Sequence, residues 1–152
     1  MENKIFITKS FLETENLGEK FSSFVKNGDL ICLYGELGSG KTTFVRGLAK
    51  GLKVKSRIIS PTFTIIRRHK LDDNYFYHVD FYRVNDEKDI GSLGLNEILE
   101  DKDSIKVLEW PEKIKDLLPQ ERIDIWFEYI DEKRRRITIK NSKIKAQRPK
   151  LN

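Results

Sequence analysis

Cysteine and histidine are scarce in this sequence, which contains one cysteine and two histidines among its 152 residues. A single thiol cannot form an internal disulfide, and so few potential ligands argue against a dedicated zinc site. The cysteine, Cys32, lies within an apolar run. We therefore expect its thiol to be packed in the interior rather than reactive.

Long apolar runs are also missing. No run approaches the roughly 20 apolar residues that a helix needs to cross a bilayer, and residues 1–10 lack the apolar core of a signal peptide. The mean hydropathy of -0.55 is typical of a soluble chain. We therefore expect a cytoplasmic protein without membrane contact, and a chain of this length is most simply one domain.

The sequence carries a formal net charge of +5. Much of the excess lies at the C-terminus, where no acidic residue follows Glu132. We divide the chain into a single domain over residues 1–140 and a basic tail over residues 141–152. Such a tail is typical of a solvated, frayed end, although its charge is also compatible with binding to nucleic acid.

The most informative stretch is residues 29–43, which read DLICLYGELGSGKTT. Gly35, Gly40, Lys41 and Thr42 fit the pattern G-x-x-x-x-G-K-[ST] of a phosphate-binding loop between a strand and a helix. Glycines let the backbone curl so that its N–H groups converge on a phosphate, the lysine reaches the β- and γ-phosphates, and the hydroxyl can ligate magnesium. The helix that begins near Lys41 adds the positive end of its dipole.

The rest of the chain alternates between strand and helix patterns. Strands are predicted at 4–8, 30–34, 63–68, 75–81, 105–110, 123–130 and 136–139. The first helix is predicted at 14–26, with Ser10 as N-cap, and the second from the glycine loop to about residue 51. One or two short helices are predicted over 90–99, and another helix begins at Pro111. This order predicts an α/β fold, a three-layer core like that of P-loop NTPases with a mainly parallel sheet. Two hairpins, 63–68 with 75–81 and 123–130 with 136–139, extend the sheet with antiparallel edge strands.

Two carboxylates end strands of this predicted sheet. Asp80 follows the apolar strand in the arrangement of a Walker B acid, and Glu109 ends the next strand. Ligands collect at the carboxyl ends of parallel strands, so both side chains are candidates for the magnesium that Thr42 would bind. Between the second helix and the next strand, the segment 60–62 (Ser-Pro-Thr) is a candidate switch that senses the γ-phosphate, or simply a cap.

Three further features have simpler explanations. His78 is more typical of a packed strand histidine than of a catalyst. Trp110 could lie against a nucleotide or partner, or fill the core. The aromatic run around 75–82 resembles an RNA-stacking stripe, but in a hairpin alternate members point inward, which favours core packing.

Four blocks in this order and spacing, GELGSGKTT at 35–43, SPTFT at 60–64, HVDFYR at 78–83 and EWP at 109–111, resemble the TsaE (YjeE) family over residues 16–130. The resemblance implies a small bacterial ATPase that serves the biosynthesis of threonylcarbamoyladenosine beside the tRNA anticodon. It implies action with TsaD and TsaB, in which ATP hydrolysis resets the complex between turnovers and TsaD performs the transfer chemistry. In that case tRNA would be reached only through the complex.

The same resemblance implies roles for individual residues. It implies phosphate binding by Gly38, Ser39, Gly40, Lys41, Thr42 and Thr43. It implies a magnesium site of Thr42, Glu109 and Asp80, with Lys41, Asp80 and Glu109 as the catalytic residues. Thr62 falls in the switch-like segment, and Phe11 and Thr14 are implied as adenine-side contacts. Nothing after residue 140 matches.

Three alternatives follow from the same loop. A GTPase would usually carry an Asn-Lys-x-Asp element, and the sequence has none. A small-molecule kinase would need an acceptor pocket and usually an arginine-bearing lid, for which Arg67, Arg68 and Arg83 are the candidates. A nucleotide-gated binding module would assemble on RNA or proteins and hydrolyse little ATP.

Overall fold

The computed structural model describes residues 3–58, 66–85 and 94–142 of the chain. The strands are β1 (Asn3–Thr8), β2 (Leu30–Tyr34), β3 (Ile66–Lys70), β4 (Tyr75–Asp80), β5 (Ile105–Glu109), β6 (Ile123–Tyr129) and β7 (Arg135–Asn141). The α-helices are α1 (Phe11–Phe21), α2 (Lys41–Gly51) and α3 (Leu95–Glu100), and two 3-10 helices span Ser22–Phe24 and Pro111–Leu117. None of the described helices is both long and apolar enough to cross a bilayer.

All seven strands form one sheet in the order β1-β7-β6-β2-β5-β4-β3. The four central strands β6, β2, β5 and β4 are parallel, while β3 pairs with β4, and β7 with both β6 and β1, in antiparallel fashion. The predicted parallel core with antiparallel edges is therefore confirmed, as are both hairpins. The parallel strands end at the same edge of the sheet, which is where α2 and the turn between β6 and β7 begin.

The sheet is covered on both faces because its central strands are apolar on both sides. In β2, Ile31 and Leu33 pack with α1 and α2, while Leu30 and Cys32 pack with α3 and the second 3-10 helix. This alternation produces the predicted three layers. Cys32 is fully buried, and burial raises the pKa of its thiol, which confirms that it is a core residue.

The first predicted helix has the correct cap but the wrong length. Ser10 accepts a hydrogen bond from the Glu13 N–H at 3.1 Å, as an N-cap does. The helix, however, begins at Phe11 instead of 14 and its α-helical part ends at Phe21 instead of 26. The hydroxyls of Ser22 and Ser23 bond the carbonyls three residues earlier, which favours a tighter 3-10 turn at this end.

Some predicted features lie outside the described residues. These are the candidate switch at 60–62, including Thr62, the beginning of the strand predicted at 63–68, most of the short helices predicted at 90–99, and nearly all of the basic tail. The last strand extends to Asn141, one residue beyond the predicted end of the domain.

Helices α1 and α2 touch backbone to backbone. A Cβ added to Gly47 would lie 1.8 Å from the Glu15 carbonyl oxygen, and one added to Gly18 would lie 2.2 Å from that of Phe44. Neither space admits a methyl group, so these glycines set the distance between the helices. The contact fixes α2, and with it the residues at its N-terminus.

We predict that Gly47→Ala lowers the free energy of unfolding by about 3 kcal/mol or more, the upper end of the cost of overpacking a core. Chemical denaturation measures this change. Arg46→Ala on the exposed side of the same helix is the control and should change stability little. Equal stability of the two variants would show that α1 and α2 can separate at no cost.

Candidate functional site

The centre of the candidate site is the glycine loop, residues 35–40, which joins the end of β2 to the start of α2. Gly38 has a φ of 77° and Gly40 a φ of 103°, both in the left-handed region that favours glycine. Gly40 is also the N-cap of α2 and, having no side chain, provides no capping hydrogen bond. The first N–H groups of α2 are therefore left for an anion, which the helix dipole also attracts.

Lys41 is held inside this loop. Its side chain is buried, its ammonium donates to the Gly35 carbonyl oxygen, and its Nζ lies 4.1 Å from the centroid of the Trp110 ring. Burial lowers the pKa of Lys41, against the opposing pull of Glu109 and Asp80. A buried cation that contacts a carbonyl oxygen and an aromatic face is well prepared to meet an anionic ligand.

The two strand-end carboxylates meet at the same place. Asp80 and Glu109 are partners in the parallel register of β4 and β5, and both side chains are buried. The Thr42 hydroxyl lies 3.4 and 3.5 Å from the two Glu109 oxygens. Asp80 accepts a hydrogen bond from the Tyr82 N–H at 2.8 Å, which orients its carboxylate. The sheet therefore brings together Lys41, Thr42, Asp80 and Glu109, as the sequence predicts.

These residues line one cleft. Its walls are Phe11, Leu37, Gly38, Gly40, Lys41, Thr42, Thr43, Asp80, Glu109 and Trp110. Hard oxygen donors beside a phosphate-type loop suit Mg²⁺, which keeps water and phosphate oxygens among its ligands. Within the described ranges no group of three or more His, Cys, Asp or Glu side chains could hold a metal ion. Thr42, Asp80 and Glu109 are the oxygen donors that could contribute to the coordination of such an ion.

His78 is a member of the site that sequence analysis assigned to the core. It is fully buried, and its Nε2 lies 2.5 Å from Glu109 Oε2. Its Nδ1 has no hydrogen-bond partner among the described residues. His78 therefore holds the Glu109 carboxylate through Oε2, the oxygen that also lies 3.4 Å from the Thr42 hydroxyl. The period of a strand contained the signal, because His78 lies two residues before Asp80 and shares its face.

The remaining predicted site residues divide into two groups. Phe11, 65% exposed, and Thr43 line the cleft. Thr14 and Ser39 are each 1% exposed and are not among the residues that line it. The Thr14 hydroxyl instead bonds that of Thr8 at 2.8 Å, and its methyl group lies beneath Gly40. In this arrangement Thr14 supports the glycine loop from below. The implied adenine-side contacts of Phe11 and Thr14 stay predictions.

Trp110 also lines the cleft, in addition to packing against the core that includes Leu108 and Ile114. Its φ is 57°, an unusual value for a residue with a bulky side chain. Such strain is more common at functional sites than elsewhere. The structure confirms that Trp110 packs against the core, and its contact with a nucleotide or partner stays a prediction.

Comparison with known proteins gives one consistent result. The family model of threonylcarbamoyl adenosine biosynthesis protein TsaE matches residues 8–137. The chain is 39% identical over 126 residues to the tRNA threonylcarbamoyladenosine biosynthesis protein TsaE of Bacillus subtilis (strain 168), covering 83% of this chain and 78% of that protein. It is 37% identical over 138 residues to the protein of the same name from Aquifex aeolicus (strain VF5), covering 90% and 95%.

A solved structure agrees with these relatives. The crystal structure of Bacillus subtilis YdiB superposes with a TM-score of 0.78 at 32% identity, covering 93% of this chain and 86% of that one. A similarity of this extent shows that the two chains share a fold.

We predict that His78 and Glu109 are energetically coupled. In a double-mutant cycle built from His78→Ala, Glu109→Gln and the double variant, the coupling free energy should be about 1–3 kcal/mol, as expected for contacting buried groups. Urea denaturation of the four proteins measures it, and the cycle cancels the cost of the cavity left by the imidazole. A coupling free energy of zero would mean that the contact between the two side chains contributes nothing to the stability of the folded chain.

Proposed function

This chain belongs to the TsaE family of threonylcarbamoyl adenosine biosynthesis proteins, so it functions in tRNA threonylcarbamoyladenosine biosynthesis, and we propose that it does so as a magnesium-dependent ATPase. The observation that carries the proposal is that the glycine loop lines the same cleft as Thr42 and Glu109, whose side chains are in contact. A hydroxyl and a carboxylate beside a helix N-terminus are the protein donors that Mg²⁺–nucleotide complexes use.

Each residue then has a defined task. Lys41 and the first amides of α2 bind the phosphates, and Thr42 with Glu109 hold Mg²⁺. When bound, the metal neutralises charge on the phosphate oxygens. Asp80, at the end of the neighbouring strand, orients the water shell or the attacking water. Trp110 and Phe11 line the cleft and limit the access of solvent.

His78 and the strand register keep this arrangement ready before nucleotide arrives. Because His78 holds one oxygen of Glu109, the carboxylate needs little reorganisation to accept a metal ligand role. Hydrolysis also needs a well-placed water. The family role and the open cleft favour an activity that is completed by partner subunits, and we propose TsaD and TsaB as these partners.

In this scheme ATP hydrolysis resets the assembled complex between turnovers, and tRNA is reached through the complex. A small-molecule kinase and a nucleotide-gated binding module use the same kind of loop. The first would transfer phosphate to an acceptor other than water, and the second would bind ATP without appreciable turnover. Product analysis therefore separates all three.

We predict that steady-state ATP hydrolysis by the chain rises markedly when TsaD and TsaB are added, with orthophosphate as the product. Asp80→Asn should retain Mg-ATP binding and lose turnover by roughly 100-fold or more, the usual range for a residue that assists proton transfer or orients water. Asp116→Asn, at an exposed position, is the control.

Three results would contradict the proposal. Equal turnover with and without the partner subunits would remove the dependence on them. A phosphorylated small molecule would favour a kinase. Normal hydrolysis by Asp80→Asn would show that this carboxylate has no part in the reaction.

A further inference from the structure

Arg135 is a buried arginine directly behind the glycine loop. It is the first residue of β7, its side chain is 5% exposed, and its Nη2 donates to the carbonyl oxygen of Gly38 at 3.1 Å. The two residues are 97 positions apart in the sequence. The contact forms because the turn between β6 and β7 lies at the same edge of the sheet as the loop.

The rest of the guanidinium is tied to that turn. Nη1 donates to the carbonyl oxygens of Asp131 at 2.6 Å and Arg134 at 2.9 Å. The guanidinium carbon lies 4.6 Å from the centroid of the Tyr129 ring. One planar group thus joins the glycine loop to the β6–β7 hairpin, in the way that the fixed fork of arginine allows and a lysine does not.

The charge of Arg135 is not matched by a carboxylate among the described residues. Of the two acidic residues in the preceding turn, Asp131 pairs instead with Arg134 at 2.7 Å, and Glu132 is exposed. The Nε of Arg135 has no hydrogen-bond partner in the part of the chain that the structure describes. A buried cation held by carbonyl oxygens and an aromatic ring, without a carboxylate, is costly unless an anion comes close. The glycine loop is the site where a polyanion would bind.

The hydrogen bond also fixes the shape of the loop. A trans peptide places its C=O and the following N–H on opposite sides, so holding the Gly38 oxygen sets the direction of the Ser39 N–H. That N–H donates to the Glu36 carbonyl oxygen at 3.1 Å and closes the turn of the loop. The aliphatic part of Arg135 lies beneath Gly40, beside Thr14, and forms the floor of the loop.

We propose that Arg135 is a positioning residue for nucleotide binding, which holds the glycine loop in its phosphate-binding shape and adds positive potential behind it. The inference rests on the proposed function, since it names the residue that prepares the loop for the triphosphate. It assigns to the β6–β7 hairpin a part in the site that no motif in the sequence indicates.

The test compares Arg135→Met, Arg135→Lys and Arg134→Met with the wild-type chain. Arg135→Met should raise the Kd for Mg-ATP at least about tenfold, the size expected for the loss of a hydrogen bond from a charged group. Arg135→Lys keeps the charge but cannot bridge the same carbonyls, so its Kd for Mg-ATP should lie between that of the wild type and that of Arg135→Met. Arg134→Met, which removes an exposed cation of the same turn, should stay within about twofold of the wild type.

Hydrogen exchange without nucleotide gives the second readout. A peptide covering residues 35–43 should exchange faster in both Arg135 variants, while one covering β2 should not change. A merely structural role of Arg135 would alter the core strands and the loop alike. If Arg135→Met does not fold, Arg135→Lys carries the test with the same two readouts.

The outcomes separate this inference from the proposed function. If the wild-type chain binds Mg-ATP and both Arg135 variants bind it equally well with unchanged exchange in the loop, the inference is wrong and the proposed function stands. If the wild-type chain and its complex do not bind Mg-ATP, the proposed function fails and the inference fails with it.

Discussion

The site depends on the parallel register of three strands. Because β2, β5 and β4 are paired in parallel, with Leu33 opposite Glu109 and Glu109 opposite Asp80, their carboxyl ends reach the same edge together. The chain leaves β2 through the glycine loop and returns at once as α2, so Thr42 faces the carboxylates of strands that lie far away in sequence. A register shift of one residue would turn Glu109 to the opposite face of the sheet.

Charged side chains are buried at the carboxyl edge of the parallel strands, where specific contacts hold them in place. Glu109 is held by His78, and Lys41 by the Gly35 carbonyl and Trp110. Arg135 holds Gly38 from behind. Buried charges of both signs within one small region cost free energy to desolvate, and folds usually retain such groups where a ligand needs them. The close packing of α1 on α2 supplies the rigid support on which this arrangement stands.

Local patterns in the sequence predicted the parts of this structure that local chemistry determines. The glycine loop, the Ser10 cap, both hairpins and the acids at the ends of β4 and β5 all follow from residue types at short spacing. The contact of Arg135 with Gly38 and the pairing of β1 with β7 do not, because they join segments that are close only in the folded sheet. His78 lies between these cases. Its position on the same strand face as Asp80 could be predicted from the sequence, but its contact with Glu109 could not. The C-terminal end predicted for α1 was wrong because two serines bond backbone carbonyls and tighten the last turn of the helix.

In the proposed function the glycine loop, Thr42 and Glu109 bind a triphosphate together with magnesium. The most direct measurement is a calorimetric titration of the wild-type chain and of Thr42→Val with ATP, each with and without Mg²⁺. We expect the wild-type chain to bind ATP more tightly when Mg²⁺ is present, and the isosteric valine variant to lose that gain, since it lacks the hydroxyl. Failure of the wild-type chain to bind ATP, or an equal effect of Mg²⁺ on both proteins, would contradict joint binding of nucleotide and metal at this site.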